Sequence, residues 1–272
     1  MLGAIAGDII GSRYEFTEQK MYDFELLPPG SRYTDDTVMT LAVAQWLLSY
    51  TKDNLTKEHL IECMQSLGRQ YPFAGYGSSF NNWLQRTNPE PYGSWGNGAA
   101  MRVSPVGLYA QTLDEALELA KRTADVSHNH PEGIKGAQAV ASAVWMAKYK
   151  YSKNYIRDYI TDTFHYDLSR TVDDIRDTYK WDVSCQGSVP ESIICFLEGK
   201  DFVDVVRLAV SLGGDADTMA CIAGSIAACI YDIPTVIVKK CNRMLPLPLF
   251  RIMDEFSRYT RLSFRELLDS LL

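Results

Sequence analysis

Residues 38–48 read VMTLAVAQWLL, a stretch whose apolar residues occupy nearly every side of a helix drawn through it. A second stretch of the same kind, MACIAGSIAACI, fills residues 219–230. Each stretch follows an acidic cluster, TDDT at residues 34–37 and DADT at residues 215–218. The sequence therefore predicts two buried helices with paired carboxylates at their beginnings, where N-cap and first-turn acids belong.

Helical periodicity extends over most of the remaining chain. Amphipathic patterns predict further helices at residues 57–69, 113–124, 133–149 and 198–211. Pro246 and Pro248 predict a break before a final helix at residues 251–272. Alternating β-rich runs are scarce and most connections are short, which favours one compact all-α domain over residues 1–272.

Charge and composition exclude several classes of protein. The net charge of −7 and the pI of about 5.2 disfavour nonspecific binding to nucleic acid or to anionic lipid. The longest apolar run falls well short of the roughly 20 residues that cross a bilayer, and Asp8 interrupts the first apolar run, unlike in a signal peptide. The six cysteines form no CxxC pair, which favours free thiols and a cytoplasmic location.

The two acidic clusters admit two interpretations. Each cluster alone fits a helix cap, because Asp and Thr are favoured there for their hydrogen bonds. Adjacent carboxylates at the ends of two buried helices, however, repel one another unless positive charge lies between them. Oxygen ligands of this kind suit Mg²⁺ or Mn²⁺, so the clusters together favour two divalent cations. Gly213 and Gly214 allow a tight loop that aims the second pair inward.

Several short motifs occur in a fixed order along the chain. They are GD at 7–8, GSRYE at 11–15, TDDT at 34–37, GYG at 75–77, GSWGNGAAMR at 93–102, SHNHPEG at 127–133 and GGDADT at 213–218. In this order they resemble the ADP-ribosylglycohydrolase family, which includes the dinitrogenase-reductase-activating glycohydrolase. The resemblance covers the chain from Gly3 to about Pro234.

The resemblance implies a compact orthogonal helical bundle with a binuclear Mg²⁺ or Mn²⁺ centre at the base of an ADP-ribose cleft. The implied metal ligands are Thr34, Asp35, Asp36, Asp215, Asp217 and Thr218. Glu15 matches a glutamate that contributes to catalysis from a mobile flap in some members, although an exposed loop acid is the simpler interpretation. Asp35 and Asp36 are further candidates for catalysis, and Asp8 is a candidate partner of the metal ligands.

The same resemblance implies a set of substrate-binding residues. They are Gly75 and Gly77 beside the distal ribose, the phosphate-binding loop Ser94, Trp95, Gly96, Asn97 and Gly98, and the side chains of Arg102 and His128. Arg102 fits a phosphate contact or a structural ion pair, and His130 fits a cap on the following helix. The aromatic residues that could stack on adenine are Tyr76, Trp83, Tyr92 and Trp95.

The function implied is metal-dependent hydrolysis of the bond between the distal ribose of ADP-ribose and an acceptor. The acceptor is a protein side chain or a small molecule, and the sequence leaves open an arginine, serine, acetyl or nucleobase linkage. A monomer is expected. The alternatives are an ADP-ribose-binding protein without turnover and a different two-metal phosphoesterase or nucleotide hydrolase. A purely structural role fits the intact ligand set least.

Overall fold

Helices joined by loops account for the structure of residues 1–48 and 55–270, which a computed structural model describes. In chain order the helices are α1 (Leu2–Gly11), α2 (Asp35–Leu47), α3 (Lys57–Gln70), α4 (Ser78–Gln85), α5 (Gly98–Met101), α6 (Ser104–Tyr109), α7 (Leu113–Asp125), α8 (Pro131–Lys148), α9 (Lys153–Phe164), α10 (Val172–Arg176), α11 (Cys185–Glu198), α12 (Phe202–Ser211), α13 (Ala216–Ala227), α14 (Thr235–Met244) and α15 (Leu247–Ser270). No strand occurs within these residues, which confirms the predicted all-α class.

The two apolar stretches form helices that are buried nearly all round, as predicted. Helix α2 begins at Asp35 after the N-cap Thr34, and nearly all its side chains are buried. Helix α13 begins at Ala216 after Asp215, and its side chains are buried throughout. The acidic clusters therefore lie at the N-terminal ends of helices in the apolar core.

Helix α1 packs against α13 at unusually short range. Gly3, Gly7 and Gly11 are spaced by four residues, so they share one face of α1. A Cβ atom added at Gly7 would lie 2.0 Å from the carbonyl oxygen of Ala220, and one at Gly11 would lie 2.4 Å from Cα of Asp217. The absence of side chains on this face lets α1 bring Asp8 to the beginning of α13.

The remaining helix predictions agree in part with the structure. Helices α3, α7 and α8 confirm three of the amphipathic stretches to within two residues. The stretch at 198–211 corresponds to α12, which ends at Ser211 as predicted but begins four residues later, because Glu198 ends α11 and Asp201 caps α12. The predicted break before the final helix is present at Leu245 and Pro246, after α14 ends at Met244. Helix α15 begins at Leu247, four residues earlier than predicted, and holds Pro248 in its first turn, where no backbone N–H is needed. Residues 271–272 of this prediction lie outside the described part of the chain.

Two further sequence predictions can be compared with the fold. All six cysteines are free, as predicted, and five of them are buried. Within the described residues, no helix combines the length and the apolar character that crossing a bilayer requires.

Candidate metal centre and cleft

Two groups of carboxylates meet where α1, α2 and α13 converge. In the first group, oxygen atoms of Asp8, Asp36 and Asp217 lie within 4.8 Å of one another, and all three residues are buried. In the second group, oxygen atoms of Glu15, Asp215 and Asp217 lie within the same distance. Asp217 belongs to both groups, so the arrangement could hold two cations at adjacent positions that share one carboxylate.

The residues present fit divalent cations. Oδ1 of Asp36 is buried and has no hydrogen-bond partner in the structure. Among the described residues, no lysine, arginine or histidine forms an ion pair with any acid of the two groups. Buried carboxylates without a counter-charge are unfavourable, and oxygen ligands suit hard cations such as Mg²⁺ and Mn²⁺.

The same crowding raises the pKa values of these acids. Burial, followed by the charges of Asp8 and Asp215, raises the pKa of Asp35 to about 8. Burial and the charge of Asp215 raise the pKa of Glu15 to about 7. Burial and neighbouring acids also hold the pKa values of Asp36 and Asp217 well above their usual range. Positive charge at this place would reverse these shifts.

Asp8 holds the first turn of α2. Its Oδ1 accepts a hydrogen bond from Oγ1 of Thr34 at 2.7 Å, and its Oδ2 accepts from the backbone N–H groups of Thr34 at 2.9 Å and Thr37 at 3.1 Å. The hydroxyl of Thr37 donates to the same Oδ2. Both oxygens of Asp8 are therefore occupied, and Asp8 positions the cluster at 34–37 from the neighbouring helix.

The second cluster is positioned by a glycine turn and by an asparagine. Gly213 and Gly214 both have φ of +73°, in the left-handed region that favours glycine, as the predicted tight loop requires. Nδ2 of Asn97 donates to Oδ2 of Asp215 at 2.6 Å, which joins the loop at 93–98 to the acidic centre. Oγ1 of Thr218 lies 3.4 Å from Oδ2 of Asp36, so the two clusters are in direct contact.

A cleft of about 620 Å³ opens above the acidic centre. Every substrate-binding residue predicted from the sequence lines it, and so do Glu15 and the predicted metal ligands Asp35, Asp36, Asp215, Asp217 and Thr218. Thr34 does not line the cleft, because it is buried beneath Asp36 and Asp8. The structure thus brings these residues from six separate segments of the chain to one cavity.

This geometry can be compared with known proteins. The sequence model of the family described as ADP-ribosylglycohydrolase matches residues 1–264 of the chain. The chain belongs to this family. ADP-ribosylhydrolase ARH3 of Homo sapiens is 26% identical over an alignment of 311 positions, gaps included, which covers 87% of this chain and 85% of that protein. ADP-ribosylhydrolase ARH3 of Bos taurus is 25% identical with the same coverage.

A solved structure also shares the fold. It is described as an ADP-ribosylglycohydrolase-related protein complex, and it matches with a TM-score of 0.73 at 25% sequence identity. The match covers 95% of this chain and 95% of that one. The helical fold expected for an ADP-ribosylglycohydrolase is thereby confirmed.

The mouth of the cleft contains an aromatic pair that the sequence analysis misses. The rings of Phe16 and Trp181 stack with centroids 5.1 Å apart and an angle of 19° between their planes. Both are unusually exposed for their size, Phe16 by 78% and Trp181 by 46%. The only signal in the sequence is a tryptophan in the polar segment at 177–184, and nothing local indicates its partner.

The structure also reduces the number of aromatic residues that could stack on an adenine ring. Trp83 is buried and stacks on Phe80, so its faces are not available to a ligand. Of the four candidates, Tyr92 and Trp95 line the cleft, and Trp95 is 54% exposed. His130 is the N-cap of α8, as predicted, and its Nδ1 accepts a hydrogen bond from the backbone N–H of Glu132 at 3.1 Å.

The loop that carries Glu15 is fixed at its far end by one lysine. Nζ of Lys20 donates to the carbonyl oxygens of Arg176 and Tyr179 at 2.7 Å and of Leu212 at 2.5 Å. Leu212 immediately precedes the glycine turn of the second acidic cluster. Lys20 therefore joins the Glu15 loop to the segment that positions Asp215.

We expect the metal-free protein to lose stability as the pH rises. Folding raises the pKa of Asp35 from 3.8 to about 8, so the folded state favours the protonated acid. This contribution is complete below the unfolded value and is lost as the pH rises through about 8. In a chelator, the thermal unfolding midpoint of the wild type should fall between about pH 6 and about pH 8.5.

The variant Asp35→Asn provides the matched comparison. Asparagine cannot ionise, so its midpoint should fall less over the same range. Groups elsewhere, such as Lys148 with its pKa lowered to about 8 by burial, titrate equally in both proteins. Equal slopes for the two proteins would contradict the assignment of Asp35 to a crowded, uncompensated cluster.

Proposed function

We propose that this protein is a Mg²⁺- or Mn²⁺-dependent hydrolase that cleaves the bond between the distal ribose of ADP-ribose and an acceptor. The observation that carries the proposal is the pair of carboxylate groups sharing Asp217 at the base of a cleft. The proposed ligands are the ones that the family resemblance implies: Thr34, Asp35, Asp36, Asp215, Asp217 and Thr218. Asp36, Asp215 and Asp217 belong to the two carboxylate groups, whereas Asp8 positions the first cluster and Glu15 is assigned a separate role. The names of the relatives, ADP-ribosylhydrolases, supply the ADP-ribosyl substrate class.

The loop at 93–98 suits the diphosphate of such a substrate. The backbone N–H groups of Ser94, Trp95 and Gly98 have no acceptor among the described residues. Gly96 and Gly98 carry no side chain that would keep an anion from the backbone. The buried guanidinium of Arg102 adds positive charge beside the same part of the cleft. These groups together favour a phosphate at the loop.

Glu15 is the proposed proton-transfer residue. It is only partly buried, it lines the cleft, and its pKa is raised to about 7 by burial and by the charge of Asp215. Bound cations would lower this pKa again, so with metal present Glu15 would be a carboxylate that accepts a proton from the attacking water and can pass it to the leaving group. Bound cations would supply positive charge that lowers the pKa of a water molecule and so provides a nucleophile. Asp35, which also lines the cleft, is the second candidate for this role.

The aromatic pair of Phe16 and Trp181 bounds one side of the cleft. Phe16 follows Glu15 directly, and Trp181 comes from the opposite loop. Gly75 lies beside Asp35: a Cβ atom there would stand 3.3 Å from Oδ1 of the acid. The distal ribose is proposed to lie against Gly75 and Asp35 at the acidic centre. The free cysteines support action in the cytoplasm, and we propose a monomer.

A panel of conjugates tests the proposal. We expect the protein to release ADP-ribose from at least one of ADP-ribosyl-arginine, ADP-ribosyl-serine and O-acetyl-ADP-ribose in the presence of Mg²⁺ or Mn²⁺. A chelator should abolish the release, because the acidic centre requires cations. Product formation is measured by chromatography, with a dinucleotide as a control for pyrophosphate cleavage.

Each of the other outcomes would indicate a different function. Tight binding of ADP-ribose with no release from any conjugate would indicate a binding protein without turnover. Cleavage of the dinucleotide alone would indicate a two-metal phosphoesterase. Release that persists unchanged in the chelator would contradict the role given to the acidic centre.

A further inference from the structure

Arg102 is a buried cation without an acidic partner. It is fully buried beside the cleft, and no carboxylate of the described residues lies within ion-pair distance of it. Its Nη2 donates to the carbonyl oxygen of Thr123 at 2.6 Å and to Oγ of Ser127 at 2.9 Å. Both hydrogens of Nη2 are thereby used, and the Ser127 hydroxyl must act as an acceptor toward Arg102.

The hydroxyl hydrogen of Ser127 needs a hydrogen-bond acceptor. Its Oγ lies 2.8 Å from Nδ1 of His128, and the structure gives it no other acceptor among the described residues. Ser127 is fully buried, so a hydrogen left without an acceptor would be unfavourable. The hydroxyl therefore donates to Nδ1, and a neutral imidazole that accepts at Nδ1 carries its proton on Nε2.

The other ring nitrogen of His128 faces the glycine loop. A Cβ atom added at Gly98 would lie 3.0 Å from Nε2, and one added at Gly96 would lie 3.6 Å from it. Among the described residues, no atom accepts a hydrogen bond from Nε2. The His128 side chain lines the cleft. Burial and the charge of Arg102 lower the pKa of His128 well below its usual range, so the ring stays neutral.

We propose that Arg102 and Ser127 are positioning residues that fix His128 in the tautomer whose Nε2–H donates to a ligand oxygen at the loop 93–98. The identity of the ligand, an ADP-ribosyl compound, rests on the function proposed above. The opposite tautomer would turn the lone pair of Nε2 toward the same oxygen, and two acceptors would then face each other. Arg102 thus acts on the ligand through Ser127 and His128.

Magnetic resonance of ¹⁵N-labelled histidine tests the proposal without any ligand. The chain has four histidines, so the ring signals of His128 can be assigned by comparison with His128→Gln. In the wild type we expect the pattern of an imidazole protonated at Nε2 with a hydrogen-bonded Nδ1. In Ser127→Ala we expect a mixture of both tautomers. A wild-type ring protonated at Nδ1 would overturn the proposal, whatever the protein binds.

A matched pair of serine variants tests the consequence for binding. Ser104 is also fully buried, but its Oγ has no hydrogen-bond partner, so Ser104→Ala removes a hydroxyl outside the chain from Arg102 to His128. Measured by calorimetry with ADP-ribose and Mg²⁺, Ser127→Ala should weaken binding about tenfold, as expected for one good hydrogen bond. Ser104→Ala should leave the affinity unchanged.

The two measurements test the positioning of His128 separately from the proposed function. Equal affinities of Ser127→Ala and Ser104→Ala would overturn the coupling of Ser127 to the ligand. A wild type that does not bind ADP-ribose at all would contradict the function, while the ring signals of His128 would still decide which tautomer Ser127 imposes.

Discussion

Replacing Asp217 with asparagine should lower kcat/KM for an ADP-ribosyl conjugate by at least about a thousandfold. Asp217 is the one residue that belongs to both carboxylate groups, so its loss affects both cation sites. Asparagine keeps the size of the side chain and leaves the buried helix α13 intact. The measurement is steady-state hydrolysis at saturating Mg²⁺.

The same substitution should stabilise the metal-free protein. Burial and the charges of Asp36 and Asp215 hold the pKa of Asp217 well above its usual range, so asparagine removes an unfavourable charge from the cluster. We expect the thermal unfolding midpoint in a chelator to rise, while the increase that Mg²⁺ produces in the wild type is lost. Such a gain is expected wherever a protein holds like charges together for function, and the lost response to Mg²⁺ is the part that identifies a cation site.

Asp162→Asn is the matched control, because Asp162 is an exposed acid on α9 and does not line the cleft. It should change neither activity nor the response to Mg²⁺. Full activity of Asp217→Asn would contradict the shared role of Asp217, whatever happens to its stability.

Replacing Gly7 with alanine should lower the free energy of unfolding by about 3 kcal/mol. A Cβ atom there would lie 2.0 Å from the carbonyl oxygen of Ala220, and this neighbour is backbone that cannot rotate away. Helices α1 and α13 must separate to admit it. Chemical denaturation measures the change, and we also expect weaker Mg²⁺ binding, since α1 carries Asp8 and α13 carries Asp217.

Gly77→Ala is the control for this effect. Nothing lies within 4 Å of a Cβ atom added at Gly77, and its φ of −57° suits any residue. Its free energy of unfolding should change by less than about 0.5 kcal/mol. Equal stability of Gly7→Ala and the wild type would show that α1 and α13 are not in the close contact described above.

The sequence predicts the central helices and the acidic clusters because their signals are local. Apolar residues on all sides of a helix, with acids at its N-terminal end, identify α2 and α13 without knowledge of the helices that pack against them. Helix α1 lacks such a signal, since its face is defined by glycines that take their meaning only from contact with α13. The membership of Asp217 in both carboxylate groups likewise depends on how α1, α2 and α13 converge, which no local pattern shows.

Other parts of the site depend on residues that are distant in sequence. The stacked pair of Phe16 and Trp181 joins two loops, and neither loop contains a pattern that indicates the other. Arg102 belongs to a recognisable motif, at residues 93–102. Its hydrogen-bond partners Thr123 and Ser127, however, come close to it only through the packing of α7. The sequence prediction begins α12 four residues early, whereas in the structure α11 ends at Glu198 and α12 starts only after its N-cap Asp201.

Calorimetric titration of the metal-free protein with Mn²⁺ tests the central claim most directly. Two carboxylate groups that share Asp217 predict two ions bound per wild-type chain. The variant Asp217→Asn should lose both, whereas Asp162→Asn should keep both. Failure of the wild type to bind any ion, or an unchanged stoichiometry in Asp217→Asn, would contradict the binuclear centre.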